Sequence, residues 1–309
     1  MSGRIGEYQD TGQSVHVLIT GVGGFIGSAM ARACLDAGWR VTGVSRKRLP
    51  AGLAPQPNLD IVSTDLRHCE GLPNRYDYLV HCAAEVPAYC PDESELYRSN
   101  VDGTRKLLDQ AAAAGATRVA YMSSMAAYGA IATPIVNEET SPIQPGTYGR
   151  SKAEGESSLA AWAARTGGAG VSIRLPGIVG AISANNFLSD TLKNILANRP
   201  VTGRNPDALF NNIVHVDDLA RFIIALAEEM PTGHTMLTIA ASQPIPIRDV
   251  LTRLYAASAR PQNIRWAPAA GTPFLIEFKR AIKLGFRPAT VVDSLDRFVA
   301  DVLAHESQH

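Results

Sequence analysis

The chain has little with which to cross-link, charge or anchor itself. Its 309 residues hold four cysteines, Cys34, Cys69, Cys82 and Cys90. Their spacing fits no zinc pattern, so no metal is expected. Cys82, at the end of an apolar strand, reads as a small buried residue, and a reduced, cytoplasmic setting is expected. Lysine plus arginine equals aspartate plus glutamate at 29 each, so no single-signed field argues for nucleic acid or a membrane surface as partner. No apolar run approaches the length that spans a bilayer. Residues 1–14 lack the basic start and apolar centre of a secretion signal and read as a disordered tail. There is no internal repeat and no low-complexity segment. What remains is a globular chain long enough for one large domain, or one domain with a smaller appendage.

What the chain does carry begins with the run Val15-His16-Val17-Leu18-Ile19 and the turn Thr20-Gly21-Val22-Gly23-Gly24-Phe25-Ile26-Gly27 after it. A β-branched run reads as a buried parallel strand. Glycines let the chain turn tightly and bring backbone N–H groups close to a ligand. Ser28 to Ala37 reads as a helix, with Gly38 suited to its C-terminal cap. Strand, glycine turn and helix N-terminus in that order make a pyrophosphate site of the dinucleotide-binding kind.

Further strands are expected at Arg40–Val44, Leu59–Ser63, Tyr76–His81, Arg118–Met122 and Val171–Leu175, with long helices at Glu93–Ala114 and Thr147–Arg165. This alternation predicts an α/β fold of the Rossmann type, a doubly wound parallel sheet with helices on both faces. After Leu175 prolines punctuate the pattern. Short helices are expected at Phe187–Ala197, Val216–Glu229, Arg248–Ser258 and Val292–Ala304. That part predicts a small, mostly helical C-terminal lobe over the strand ends, where open α/β sheets bind ligands. The expected division is a tail (1–14), a dinucleotide-binding domain (15–175) and a substrate lobe (176–309), with 205–230 returning to the core.

Tyr148 and Lys152 stand four apart on a predicted helix, so both side chains share a face. A phenol with pKa near 10 is a poor acid or base at neutral pH. A nearby ammonium lowers that pKa, giving a group that can exchange the proton of an alcohol or ketone. Ser123 and Ser124 follow the fifth strand, where a hydroxyl could orient a substrate oxygen. Taken singly, these features are also those of an ordinary helix surface and a serine-capped turn.

Several further motifs run in order through the sequence: Asp65-Leu66, His81-Cys82-Ala83-Ala84, Asn100-Val101-x-Gly103-Thr104, Tyr128-Gly129 four residues after Ser124, and His215-Val216-Asp217-Asp218-Leu219-Ala220. Leu284-Gly285-Phe286-Arg287-Pro288 follows near the end. With the glycine turn and the Tyr148–Lys152 pair, they resemble the extended branch of the short-chain dehydrogenase/reductase superfamily, the nucleotide-sugar epimerase/dehydratase/reductase family. The resemblance implies Ser124, Tyr148 and Lys152 as the catalytic set, with Tyr148 as acid/base. It implies a cofactor held by Gly21, Gly23, Gly24, Phe25, Ile26 and Gly27 at the pyrophosphate and by Asp65 and Leu66 at the adenine. Ala83, Ala84 and Asn100 would contribute further along, with Tyr148, Lys152, Pro176 and Ile178 toward the nicotinamide. Substrate would meet Glu85, Ser124, Met125, Asn185, Asn186, Phe187 and Asn211. His215, Asp217 and Asp218 are expected to cap and orient a helix.

Departures from the family pattern refine this. The second strand ends Val44-Ser45-Arg46-Lys47-Arg48 with no carboxylate for the ribose hydroxyls. A guanidinium suits a 2′-phosphate, so NADP(H) is favoured over NAD(H), with Ser45 and Arg46 at the adenosine. Met125 and Ala126 replace the acidic pair of the 4,6-dehydratases, which speaks against dehydration. Leu175-Pro176-Gly177 stands where 4-epimerases show Tyr-Phe-Asn, and Asn211 stands near the place of a diphosphate-binding arginine. The expected activity is reduction of a keto group, or oxidation of a hydroxyl, on a sugar nucleotide or a related small molecule. A 4-epimerase with retained cofactor and a non-catalytic NADP-binding regulator are the alternatives. A homodimer is expected through the two long helices, with Leu159, Trp162 and the alanines Ala111 to Ala114 at the contact.

Overall fold

The computed structural model describes residues 15–46, 53 and 56–307. The tail expected over 1–14, and the cations Lys47 and Arg48, lie outside the described residues. Seven strands form one sheet: β1 (His16–Thr20), β2 (Arg40–Val44), β3 (Leu59–Val62), β4 (Tyr78–His81), β5 (Arg118–Ser124), β6 (Ala169–Leu175) and β7 (Gly233–Thr238). Their order is β7-β6-β5-β4-β1-β2-β3, and every pairing is parallel. The winding direction reverses between β1 and β4, which opens a ligand crevice at their C-terminal ends.

The period-two alternation of the strands divides the core. Val17 and Ile19 of β1 face α1 (Phe25–Asp36) and α5 (Val216–Glu228), packing with Met30, Phe222 and Ile223. Leu18 faces the other layer, α2 (Glu93–Ala113) and α3 (Thr147–Thr166), with Leu107, Leu159 and Trp162. Each such side chain contributes roughly 1.5–3 kcal/mol on burial. Local chemistry sets the helix ends. The Asp92 carboxylate accepts from the N–H groups of Ser94 and Glu95 to start α2, and Gly167 ends α3 at φ 70° in the left-handed region.

The C-terminal part packs α4 (Phe187–Leu196), α6 (Ile247–Ala257) and α8 (Val291–Glu306) around Leu192, Leu254 and Phe298; α7 (Lys279–Lys283) is a single turn. Strands in this part pair only in twos, such as Gly177–Val179 with Ile213–His215 and Val201–Gly203 with Ile264–Trp266. His215 caps α5, and Arg297 of α8 holds Asp218 at 2.7 and 2.9 Å, the structural role expected for that motif.

Three expectations change. Helix α1 starts at Phe25, three residues early, because the last glycines of the turn already lie at its N-terminus. Strand β7 extends the return to the sheet to Thr238; only its last two residues are buried, so its pattern is weak. Leu159 and Trp162 are 0% and 1% exposed inside the chain's own core, and Ala111 is also fully buried. They are therefore unavailable to a partner. A contact through α2 and α3 must use their outer faces, where Arg105–Glu154 and Arg165–Asp109 already pair the two helices.

Candidate active site

A cavity of about 980 Å³ opens over the ends of β1, β2, β4 and β5. Its floor is the glycine turn. Gly21 adopts φ +74°, and a Cβ there would lie 2.9 Å from the Ala83 backbone. A Cβ on Gly27 would lie 2.2 Å from the Gly21 carbonyl oxygen, so α1 approaches the strand end as only glycine permits. Gly24, the N-cap of α1, supplies no side-chain cap. The first N–H groups of that helix therefore face the cavity as an anion site. Gly23, Phe25 and Ile26 also line it, as do Ala83 and Ala84 opposite. These residues fit the pyrophosphate of a dinucleotide.

Ala83 is fixed from below. Its N–H donates to Thr20 Oγ1 (3.1 Å), and that hydroxyl is 2.7 Å from His81 Nδ1. His81 Nε2 in turn lies 2.9 Å from Thr104 Oγ1. Asn100 accepts from Glu85 N (2.7 Å) and donates to Glu85 O and Ser151 Oγ (both 3.0 Å). Asn100 thus ties the loop after β4 to α3 and holds the cavity wall in place.

Ser124 and Tyr148 line the same cavity. The Ser124 hydroxyl accepts from Ala126 N at 3.1 Å and caps a 3-10 turn, Met125–Tyr128. Ser123 is occupied elsewhere: its hydroxyl donates to the buried Glu156 carboxylate. This separates the two serines, leaving Ser124 at the cavity. Burial pushes the Tyr148 phenol up to about 12, and a hydrogen bond with Ser124 works against that rise. The expected lowering by Lys152 is not what the structure shows. Lys152 Nζ lies 4.7 Å from the Tyr121 ring centre, against 6.0 Å from that of Tyr148, and burial dominates the phenol. Burial also brings Lys152 down to about 8, opposed by Cys82 and Glu156.

At the adenosine end, Val44, Ser45, Arg46, Asp65 and Leu66 line the cavity. The Asp65 carboxylate is held by Arg67, at 2.8 Å from Nη2, which pulls it to about 2. Arg46 reaches across the end of β1 to pair with Glu85.

The substrate side departs most from expectation. Asn185 lines the cavity in the left-handed region (φ 59°) and donates to the Tyr89 hydroxyl at 3.0 Å. Val86, Pro87, Ala88, Ile182 and Ala184 continue that wall. Asn186 instead caps α4 through Ser189 N, and Phe187 meets Phe210 at a tilt, ring centres 6.1 Å apart. Asn211 is buried, donating to Ile276 O (2.8 Å) and accepting from Ile276 N (3.0 Å). Its amide is spent inside the fold and cannot stand in for a diphosphate-binding arginine. Met125, Pro176 and Ile178 do not line the cavity either; Ile178 is buried in a short strand beside Val214. Thr20, His81, Thr104, Tyr89 and Ile182 were missed. Thr20, His81 and Thr104 stand in the motifs quoted above but had no role of their own assigned, whereas Tyr89 and Ile182 carried no signal.

Comparison with known proteins gives the same frame. The NAD dependent epimerase/dehydratase family pattern matches residues 17–239. A D-erythronate dehydrogenase of Cupriavidus necator is 28% identical over 318 residues, covering 92% of this chain and 97% of its own. A 2′-dehydrokanamycin reductase of Streptomyces kanamyceticus is 29% identical over 261 residues, covering 83% of this chain and 70% of its own. Among solved structures, a Thermus thermophilus UDP-glucose 4-epimerase in complex with NAD superimposes with a TM-score of 0.78. It is 20% identical and covers 94% of this chain and 99% of its own, a likeness of fold.

Proposed function

Because the chain belongs to the NAD-dependent epimerase/dehydratase family, we propose that it is an NADP(H)-dependent reductase or dehydrogenase acting on a keto or hydroxyl carbon of a sugar nucleotide or related small molecule. The enzyme class itself, an NAD(P)-dependent protein of the short-chain dehydrogenase/reductase type, follows from the family. The observation that carries the finer reading is the sharing of one cavity by the glycine turn, Ser124 and Tyr148, with Lys152 buried behind them.

When bound, the nicotinamide supplies or accepts a hydride. The chain's residues handle the oxygen and the proton. Ser124 orients the reacting oxygen. Tyr148, at the cavity beside Ser124, holds the phenol proton that an oxygen gaining charge would take. Lys152 brings a positive charge beneath the site. Arg46 at the cavity, with no carboxylate at the end of β2, supports NADP(H).

Among the described residues lining the cavity, Arg46 is the one Lys or Arg. With Asn186, Phe187 and Asn211 engaged elsewhere, the case for a nucleotide on the substrate is weaker than the sequence suggested. The dehydrogenase and reductase relatives are named for substrates without one. A 4-epimerase is the second reading, favoured by the epimerase relatives. A non-catalytic regulator would have no use for Tyr148 and Lys152 in this arrangement. The four free thiols support a reduced, cytoplasmic setting.

The test is to supply 4-keto and 4-hydroxy nucleotide sugars, and nucleotide-free hydroxy and keto sugar acids, each with NADPH or NADP. A reductase or dehydrogenase changes the reduced-nicotinamide absorbance stoichiometrically with substrate. Interconversion of hydroxy sugars with no net change establishes the epimerase instead, and inertness toward all of them rejects both.

A further inference from the structure

Behind the proposed catalytic residues lies a buried charge pair that the chemistry above does not use. Glu156 is 4% exposed and Arg174 7%. Arg174 Nε donates to Glu156 Oε1 at 2.9 Å and Nη2 to Oε2 at 2.7 Å, the two-pronged geometry of a strong ion pair. Glu156 Oε1 also accepts from the Ser123 hydroxyl. The Arg174 guanidinium lies 4.3 Å from the centre of the Tyr128 ring. Tyr128 is fixed in turn by donating to Asn137 O at 2.6 Å.

These contacts bracket Ser124. Ser123 precedes it, and Tyr128 closes the 3-10 turn that Ser124 caps. The other end of the network is on α3, where Tyr148, Lys152 and Glu156 follow at four-residue spacing along one face. One carboxylate therefore joins the strand end bearing the serine to the helix bearing the tyrosine and lysine. A buried ion pair loses in desolvation much of what it gains in attraction, so net stability is a poor account of it.

We propose that Glu156 is a positioning residue: through Ser123 and Arg174 it holds Ser124 in register with α3, and it sets the charge environment of Lys152 one turn away on the same helix face. The proposal rests on Ser124, Tyr148 and Lys152 being the reacting set. The titratable groups facing Lys152 are His81 and Cys82 from the end of β4, Tyr121 from β5, and Tyr148 and Glu156 from α3. Burial keeps His81 neutral and the Cys82 thiol and Tyr121 phenol protonated. Beside the Cys82 sulfur, Glu156 is the group that opposes the lowering of Lys152 by burial.

The experiment follows the Lys152 side-chain resonance through a pH titration of full-length protein labelled at the lysine ε-carbon, with no substrate required. In wild type Lys152 should titrate near 8. In Glu156→Gln, which keeps the shape and the acceptor for Ser123, its pKa should fall by about one unit or more. The double variant Glu156→Gln/Arg174→Gln removes a net-neutral pair and is the control, in which the Lys152 titration should move less than in Glu156→Gln. Ser123→Ala should leave the Lys152 titration unchanged while lowering kcat about three- to tenfold on whichever substrate is turned over, with NADPH affinity unaltered. An unmoved Lys152 titration in Glu156→Gln, or kcat for Ser123→Ala within about 1.5-fold of wild type, overturns the proposal. If no substrate is turned over, the functional reading fails while the titration still decides the role of Glu156.

Discussion

Acid should destabilise this protein through one histidine. His81 is 2% exposed, clamped between the hydroxyls of Thr20 and Thr104 at 2.7 and 2.9 Å. Burial, and then the Lys152 ammonium, hold it at about 3 against an ordinary 6.5. The folded pKa is depressed, so between those values the unfolded chain binds the proton that the folded one refuses. The stabilisation is complete above 6.5 and is lost as pH falls toward 3. Each pH unit in that window is worth about 1.4 kcal/mol, so moving from neutrality to about pH 5 should cost about 2 kcal/mol. That is a large share of the roughly 5–15 kcal/mol of a typical domain. Urea unfolding of wild type and His81→Asn at about pH 7 and about pH 5 gives a difference of differences. Carboxylates, and the similarly lowered His16 and His234, cancel in it. Equal pH dependence in both proteins, within about 0.5 kcal/mol, refutes the reasoning.

Arg46→Ala removes one charge-assisted phosphate contact and should weaken NADPH by about 1.5–3 kcal/mol, one to two decades, with little change for NADH. Fluorescence titration of both cofactors checks this, and an equal loss for each rejects the 2′-phosphate contact. Tyr148→Phe should lower kcat by about two to four decades at unchanged NADPH affinity, whereas Lys152→Met should lose both; cofactor binding that collapses in the phenylalanine variant contradicts the assignment. Sedimentation at micromolar concentration should give a homodimer, and a monomer removes that expectation.

Much of this architecture could be read from the chain because the relevant signals are local. Strand β1 announces itself through a continuous apolar run before the glycine turn, and α2 and α3 through the alternation of helical and strand segments. The glycine turn is legible because steric demand leaves a single residue type. Strand β7 escaped notice because an edge strand needs only one well-buried end. Asn211 misled because sequence position says nothing of which way an amide turns, and here the backbone of Ile276, 65 residues later, claims it. The Tyr148–Lys152 spacing correctly set the two side chains on one helix face. The ionisation did not follow, since it depends on the Tyr121 ring and on burial, which only the assembled fold provides.

Strand β7 has a consequence for the integrity of the chain. The backbone leaves the sheet after β6, runs through residues 176–232, and returns to lie against the strand it left, paired from Gly233–Ala169 to Thr238–Arg174. Helix α5 from that excursion is meanwhile packed on α1 and pinned by Arg297 from α8. The fold is sewn rather than hinged. A protease that nicks the exposed turn around Asp207 should leave two fragments that travel together under native conditions and separate only when denatured, much as a seam holds after one stitch is cut.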